Sequence, residues 1–181
     1  AATWATLAAV KTAGQLCVPA ERLIVQEDVY DAFKDRFVAL AEAVSVGDPL
    51  DEDTFMGPVV DASQVEKFGT YNDLAREEGA TVLVDRESLD SDEIPDGMAA
   101  GHWVGPFVYE IDYAPDVRCI HEEVFGPHVA LLSYSGTIED AMAIHNDVPY
   151  GLTGAIISED YRQINHFRDH AEVGLAYANL P

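Results

Sequence analysis

Basic residues are scarce in this sequence. Its 181 residues carry 10 Lys and Arg against 33 Asp and Glu, a formal net charge of −23, and the only lysines are Lys11, Lys34 and Lys67. Phosphate neutralisation needs clustered cations, so nucleic acid is excluded as a partner, and an anionic membrane surface is disfavoured by the same charge. Cysteine is nearly absent as well. Cys17 and Cys119 cannot form a disulfide framework or a zinc site by themselves, and a sparse pair reads as intracellular thiols. No apolar run reaches the length of a membrane span, and residues 1–13 lack the charged start and long apolar stretch of a signal peptide. These absences together point to a cytoplasmic protein.

What is present is an ordinary apolar complement, 48% of the residues, enough for one sizeable core and hence one domain. The acids are spread over that pattern and are densest from Asp85 to Asp96, so they form a solvated shell rather than a disordered tract. Such a shell suits a salt-rich, halophilic cytoplasm in which counter-ions screen its self-repulsion. The chain starts at Ala1 within a helix-like stretch and stops at Pro181 directly after a strand-like one, which gives both ends a cut appearance.

Strands alternate with helices along the chain, the pattern of an α/β fold with an open, mostly parallel sheet and flanking helices. Trp4 to Lys11 reads as the end of a helix broken by Gly14-Gln15, and Arg22 to Gln26 as a strand, with Cys17 between them. Asp28 is the expected cap of a helix whose apolar positions are Val29, Phe33, Phe37, Leu40 and Val44. Asp61 is the expected cap of a second, carrying Val65, Phe68 and Leu74 and ending at Gly79. Thr81 to Val84, Phe107 to Ile111, Val129 to Tyr134, Leu152 to Ser158 and Leu175 to Ala178 read as strands. Ile138 to Ile144 and Tyr161 to His170 read as helices, and the acidic segment ending at Pro95-Asp96-Gly97 as a surface loop.

Two clusters carry chemistry. Gly14-Gln15-Leu16-Cys17 leaves a helix through a glycine break into a connecting loop, where backbone N–H groups could stabilise a thiolate, although a lone cysteine is more often inert packing. A thiol nucleophile suits acyl chemistry because its thioester is reactive. Glu122-Glu123-Val124-Phe125-Gly126-Pro127 places two carboxylates before a Phe and a Gly-Pro turn. In bland terms this is a turn beside solvated acids. In functional terms a carboxylate there could accept ribose hydroxyls and the ring could pack on a nicotinamide. His166 and His170 have the i, i+4 spacing of helical metal ligands but no adjacent Glu, so they read as a surface helix and no metal is expected. Two rivals stay open on the residues alone: a cysteine hydrolase or acyltransferase pairing Cys17 with a histidine, and an inactive structural or oligomerising domain.

Taken with Arg22 to Phe33, Val46-Gly47-Asp48-Pro49, Gly57-Pro58, Asn146, Tyr150-Gly151-Leu152-Thr153 and Gly174 to Asn179, the two clusters resemble the aldehyde dehydrogenase superfamily through nearly the whole chain. The resemblance implies an aldehyde dehydrogenase catalytic domain over 1–181, truncated at both ends, with the dinucleotide-binding domain outside the chain. It implies that Cys17 is the nucleophile, that Glu123 and Phe125 bind the ribose and nicotinamide of NAD or NADP, and that Leu16 and Val18 line the aldehyde pocket. The family's general-base glutamate, in a Glu-Leu-Gly-Gly motif, and its final oligomerisation strand would also lie outside residues 1–181. The implied whole enzyme is a homo-oligomer, and the chain alone is not expected to turn over. Tyr150 to Ala155 resembles the pyrroline-5-carboxylate dehydrogenase branch and Asn179-Leu180-Pro181 the semialdehyde dehydrogenases of sugar-acid breakdown, which favours a semialdehyde substrate.

Overall fold

The computed structural model describes residues 1–90 and 93–180. Ser91 and Asp92, in the middle of the expected acidic loop, and Pro181, the last residue of the expected terminal motif, lie outside the described residues. Helix α1 (Ala2–Val10) buries its small residues Ala2, Ala5 and Ala9 together with Val10 and leads into a tight turn, Lys11–Gly14. Strand β1 (Arg22–Gln26) then passes without a loop into α2 (Glu27–Glu42). That direct passage moves the cap from the expected Asp28 to Gln26, whose side chain accepts from the N–H of Asp28 at 2.9 Å. Asp28 instead joins Glu27 in the first turn, where negative charge complements the helix dipole.

Of the expected apolar positions, Phe33, Phe37, Leu40 and Val44 face the core, while Val29 is exposed; Tyr30 and Ala41 join the buried face beside them. The rings of Phe33 and Phe37, four residues apart, stack with centroids 5.8 Å apart. Helix α3 (Ala62–Glu77) is capped by Asp61 as expected, its carboxylate accepting from the N–H of Gln64 at 3.0 Å. Gly79 follows at φ +92°, a conformation that glycine supplies without a Cβ penalty. The most buried line of α3 runs through Gln64, Phe68, Asn72 and Ala75, two of them polar, while the expected Val65 and Leu74 are half-buried beside it.

Strands β2 (Thr81–Asp85), β3 (Phe107–Glu110) and β4 (His128–Tyr134) complete the main sheet in the order β1-β4-β3-β2. Both neighbours of β4 run parallel to it, and β2 is the one antiparallel member. The open, mostly parallel arrangement expected from the sequence is therefore present. Strand β4 is central, and Val129, Ala130, Leu131 and Leu132 are sealed between the layers, which accounts for their unbroken apolar run. The last two strands, β5 (Thr153–Ile156) and β6 (Leu175–Ala178), pair with each other in a separate parallel sheet, joined through α5 (Tyr161–His170). Helix α4 (Ile138–Asn146) ties this unit to the main sheet: the Arg22 guanidinium donates to the carbonyls of Ile144 and His145 at 3.2 and 3.0 Å.

Candidate active site

The turn that precedes Cys17 has an unusual backbone. Thr12, Ala13 and Gly14 are left-handed in succession, at φ 56°, 55° and 66°. Only the glycine adopts this freely; each of the other two costs about 1–2 kcal/mol relative to the right-handed form. The reversal drives Gly14 against the backbone of Gly126. A methyl group on the Gly14 α-carbon would overlap the Gly126 carbonyl and come within 2.8 Å of the Pro127 nitrogen. No larger residue fits there, so the glycine break serves close approach as well as turning.

The loop after Gly14 is fastened at both ends. The Gln15 side-chain oxygen accepts from the N–H of Val60 at 2.9 Å, and the N–H of Ala20 donates to the Ala8 carbonyl at 3.1 Å. Between these anchors Leu16 is half-buried and Cys17 and Val18 are exposed. The second thiol has the opposite setting: Cys119, in the short turn Arg118–Ile120, is buried, and burial pushes its pKa up to about 12.

The structure also separates the two adjacent carboxylates. Glu122 is bound to the Arg118 guanidinium at 2.7 Å and to the Tyr71 hydroxyl at 2.6 Å, and these donors hold its pKa at about 2. Its work is structural. Glu123 is exposed, its N–H donates to the Tyr150 hydroxyl at 3.3 Å, and among the described residues its carboxylate engages no hydrogen-bond partner. A free, acceptor-only carboxylate is what a pair of ribose hydroxyls requires. Phe125 follows with a half-buried ring and a left-handed backbone, φ 60°. An accepting carboxylate next to an aromatic ring is a pair that could receive ribose hydroxyls and a flat ring.

Sequence reasoning missed what holds the arm. Both oxygens of the Glu21 carboxylate accept from it, one from the N–H of Val124 at 3.1 Å and the other from the N–H of Phe125 at 2.8 Å. From the opposite side the Gln64 amide donates to the carbonyls of Val124 and Phe125 at 3.2 and 2.9 Å. Burial raises the Glu21 pKa, and the two backbone donors only partly offset it. A signal did exist in the sequence: two amides, Gln64 and Asn72, interrupt the line 64, 68, 72 and 75 of a helix that otherwise carries Phe68 and Ala75.

Comparison with known proteins follows the same lines. The aldehyde dehydrogenase family model matches residues 1–181. The chain is 39% identical over 170 residues to the α-ketoglutarate semialdehyde dehydrogenase of Haloferax volcanii, covering 93% of this chain and 33% of that protein. It is 37% identical over 166 residues to a 1-pyrroline-5-carboxylate dehydrogenase of Geobacillus sp., covering 92% and 30%. The crystal structure of betaine aldehyde dehydrogenase from Staphylococcus aureus in complex with NAD+ is similar at a TM-score of 0.91 and 30% identity, covering 99% of this chain and 34% of that one. The chain thus spans about a third of the length of the relatives it matches.

Proposed function

The chain belongs to the aldehyde dehydrogenase family, and from that premise we propose that it carries the nucleophile and part of the cofactor surface of an NAD(P)-dependent enzyme oxidising a small aldehyde to a carboxylate. The observation that carries this reading is the seating of Gly14 on Gly126, which ties the loop of an exposed cysteine to the arm of an exposed carboxylate and an aromatic ring. In this reading the Cys17 sulfur adds to the aldehyde carbon, forming a C–S bond and a tetrahedral oxyanion. The Cys17 N–H, with a side-chain amide from outside residues 1–181, holds that charge. A bound nicotinamide dinucleotide supplies the hydride acceptor. Glu123 would accept its ribose hydroxyls and Phe125 would offer an aromatic face to its ring. Loss of hydride leaves an acyl thioester on Cys17, and water then cleaves the C–S bond, releasing the acid and restoring the thiol.

Leu16 and Val18 flank the thiol and form part of the wall of the aldehyde pocket. The semialdehyde preference is supported by relatives named for α-ketoglutarate semialdehyde and pyrroline-5-carboxylate. We place the enzyme in a salt-rich cytoplasm, as a homo-oligomer in the protein made from the complete gene. The test is a comparison of that protein with its Cys17→Ser variant. Aldehyde-dependent NAD(P)H formation is expected to fall by about a thousandfold or more. Retained aldehyde turnover in the variant, or a parent protein with no aldehyde-dependent NAD(P)H formation but a dinucleotide-independent esterase activity that Cys17→Ser abolishes, overturns the reading.

A further inference from the structure

Glu21 stands four positions beyond Cys17, yet both of its oxygens are spent on the arm that carries Glu123 and Phe125. With Gln64 opposite, the N–H and C=O groups of Val124 and Phe125 are all satisfied by two side chains rather than by a strand ladder. That arrangement is specific to the path of the chain here. Phe125 is left-handed at φ 60°, so a ladder partner cannot hold it, and an aromatic residue does not rest there without being held. The buried Val124 side chain pins the arm to the core, the Tyr150 hydroxyl accepts from the Glu123 N–H at 3.3 Å, and the four side-chain bonds hold the backbone of Val124 and Phe125.

We propose that Glu21 is a positioning residue for cofactor binding: it sets the direction of Glu123 and Phe125 through their backbone and links that direction to the Cys17 loop. The proposal rests on the reading of Glu123 and Phe125 as dinucleotide contacts. Glu21 touches neither substrate nor cofactor in it; its effect passes through the two amides. The carboxylate form matters because it offers two acceptors and no donor. A glutamine of the same size would turn an NH₂ group towards one of the two N–H donors.

Hydrogen exchange on this chain reads the positioning directly, without any ligand. In Glu21→Gln and Glu21→Ala the Val124 and Phe125 amides are expected to exchange about tenfold faster or more, while the β4 amides Val129 to Leu132 keep their protection. Glu21→Asp, one methylene shorter with both acceptors kept, is expected to fall between. Should Glu21→Ala fail to fold, Gln64→Met removes the opposite jaw at nearly constant volume and is expected to loosen the same two amides.

In the protein made from the complete gene, Glu21→Gln is expected to raise the dinucleotide KM about tenfold while kcat and the aldehyde KM stay within about twofold. Unchanged exchange at Val124 and Phe125 in all of these variants overturns the proposal. Faster exchange with an unmoved dinucleotide KM overturns instead the assignment of the arm to the cofactor.

Discussion

Gly14 and Gly126 meet backbone to backbone, so closely that the α-carbon of the first has no room for a side chain beside the carbonyl of the second. That contact joins the two halves of the site, because one partner turns the chain towards Cys17 and the other ends the Glu123–Phe125 arm. Gly14→Ala adds a methyl group both to a left-handed position and to a filled space. A loss of about 2 kcal/mol or more is expected from denaturant unfolding, on the strain of the left-handed site plus the backbone shift. Gly79→Ala is the control, since its left-handed conformation is similar but nothing crowds it. If the two variants lose the same stability, close approach contributes nothing.

The two thiols should part company in a labelling experiment. Cys17 is exposed, whereas Cys119 is buried with its pKa pushed up to about 12. With a maleimide at neutral pH, mass spectrometry is expected to find label on Cys17 first, with Cys119 modified only under denaturant. Comparable labelling of both in the native chain would contradict the placement of Cys119 behind Tyr109, whose hydroxyl donates to the Cys119 carbonyl at 3.0 Å.

Acid should weaken the fold through a histidine that never reaches water. His128 is sealed between Phe68, Phe107 and Tyr109, and burial lowers its pKa from 6.5 to about 4. The unfolded chain therefore binds more protons between about pH 6.5 and pH 4, and stability falls as pH falls through that window. For His128 alone the loss between pH 7 and pH 5 is about 2 kcal/mol. His145, also lowered by burial, adds in the same direction. Glu21, whose pKa is raised, acts in the opposite direction, gaining stability as pH falls from its folded value towards 4.5. Glu122, held at about 2, loses its contribution only below about pH 4.5. Urea unfolding of His128→Phe should accordingly show a flatter pH dependence than the parent chain between pH 7 and pH 5; parallel curves would rule the mechanism out.

With a net charge of −23, salt is expected to stabilise the fold. Of the few cations, Arg76 is shared among Asp73, Asp85 and Glu87, and Arg86 and Arg118 are each taken by a glutamate. The remaining acids repel one another across water, and that repulsion is screened within a Debye length of about 3 Å at molar salt. The melting temperature is expected to rise by several degrees from low salt to multimolar KCl. A flat or falling melting temperature would remove the basis for a halophilic shell.

Much of this was legible beforehand, and the failures have physical causes. The unbroken apolar run of β4, the Asp61 cap and the glycine break before Cys17 are local signals, so the sequence displays them. Asp28 was misjudged as a cap because β1 runs straight into α2, which no local residue type announces. The strands β5 and β6 are legible as strands from their local residues, but their pairing in a sheet separate from β1–β4 is a long-range choice that no single residue displays. Glu21 escaped notice for the plainest reason: its partners are backbone amides 103 and 104 positions away, and an amide has no letter in the sequence.

The left-handed run Thr12–Gly14 bears on the order in which the protein is made. A ribosome releases Cys17 long before Gly126 exists. Two of the three residues in that run resist their final conformation, and one local hydrogen bond, from the Gln15 N–H to the Thr12 carbonyl at 3.0 Å, closes the turn, so it leans on contacts made later along the chain. The contact of Gly14 with Gly126 can form only once that later segment is in place. The arrangement of the Cys17 loop is therefore a long-range property of the fold rather than one that residues 11–18 carry by themselves.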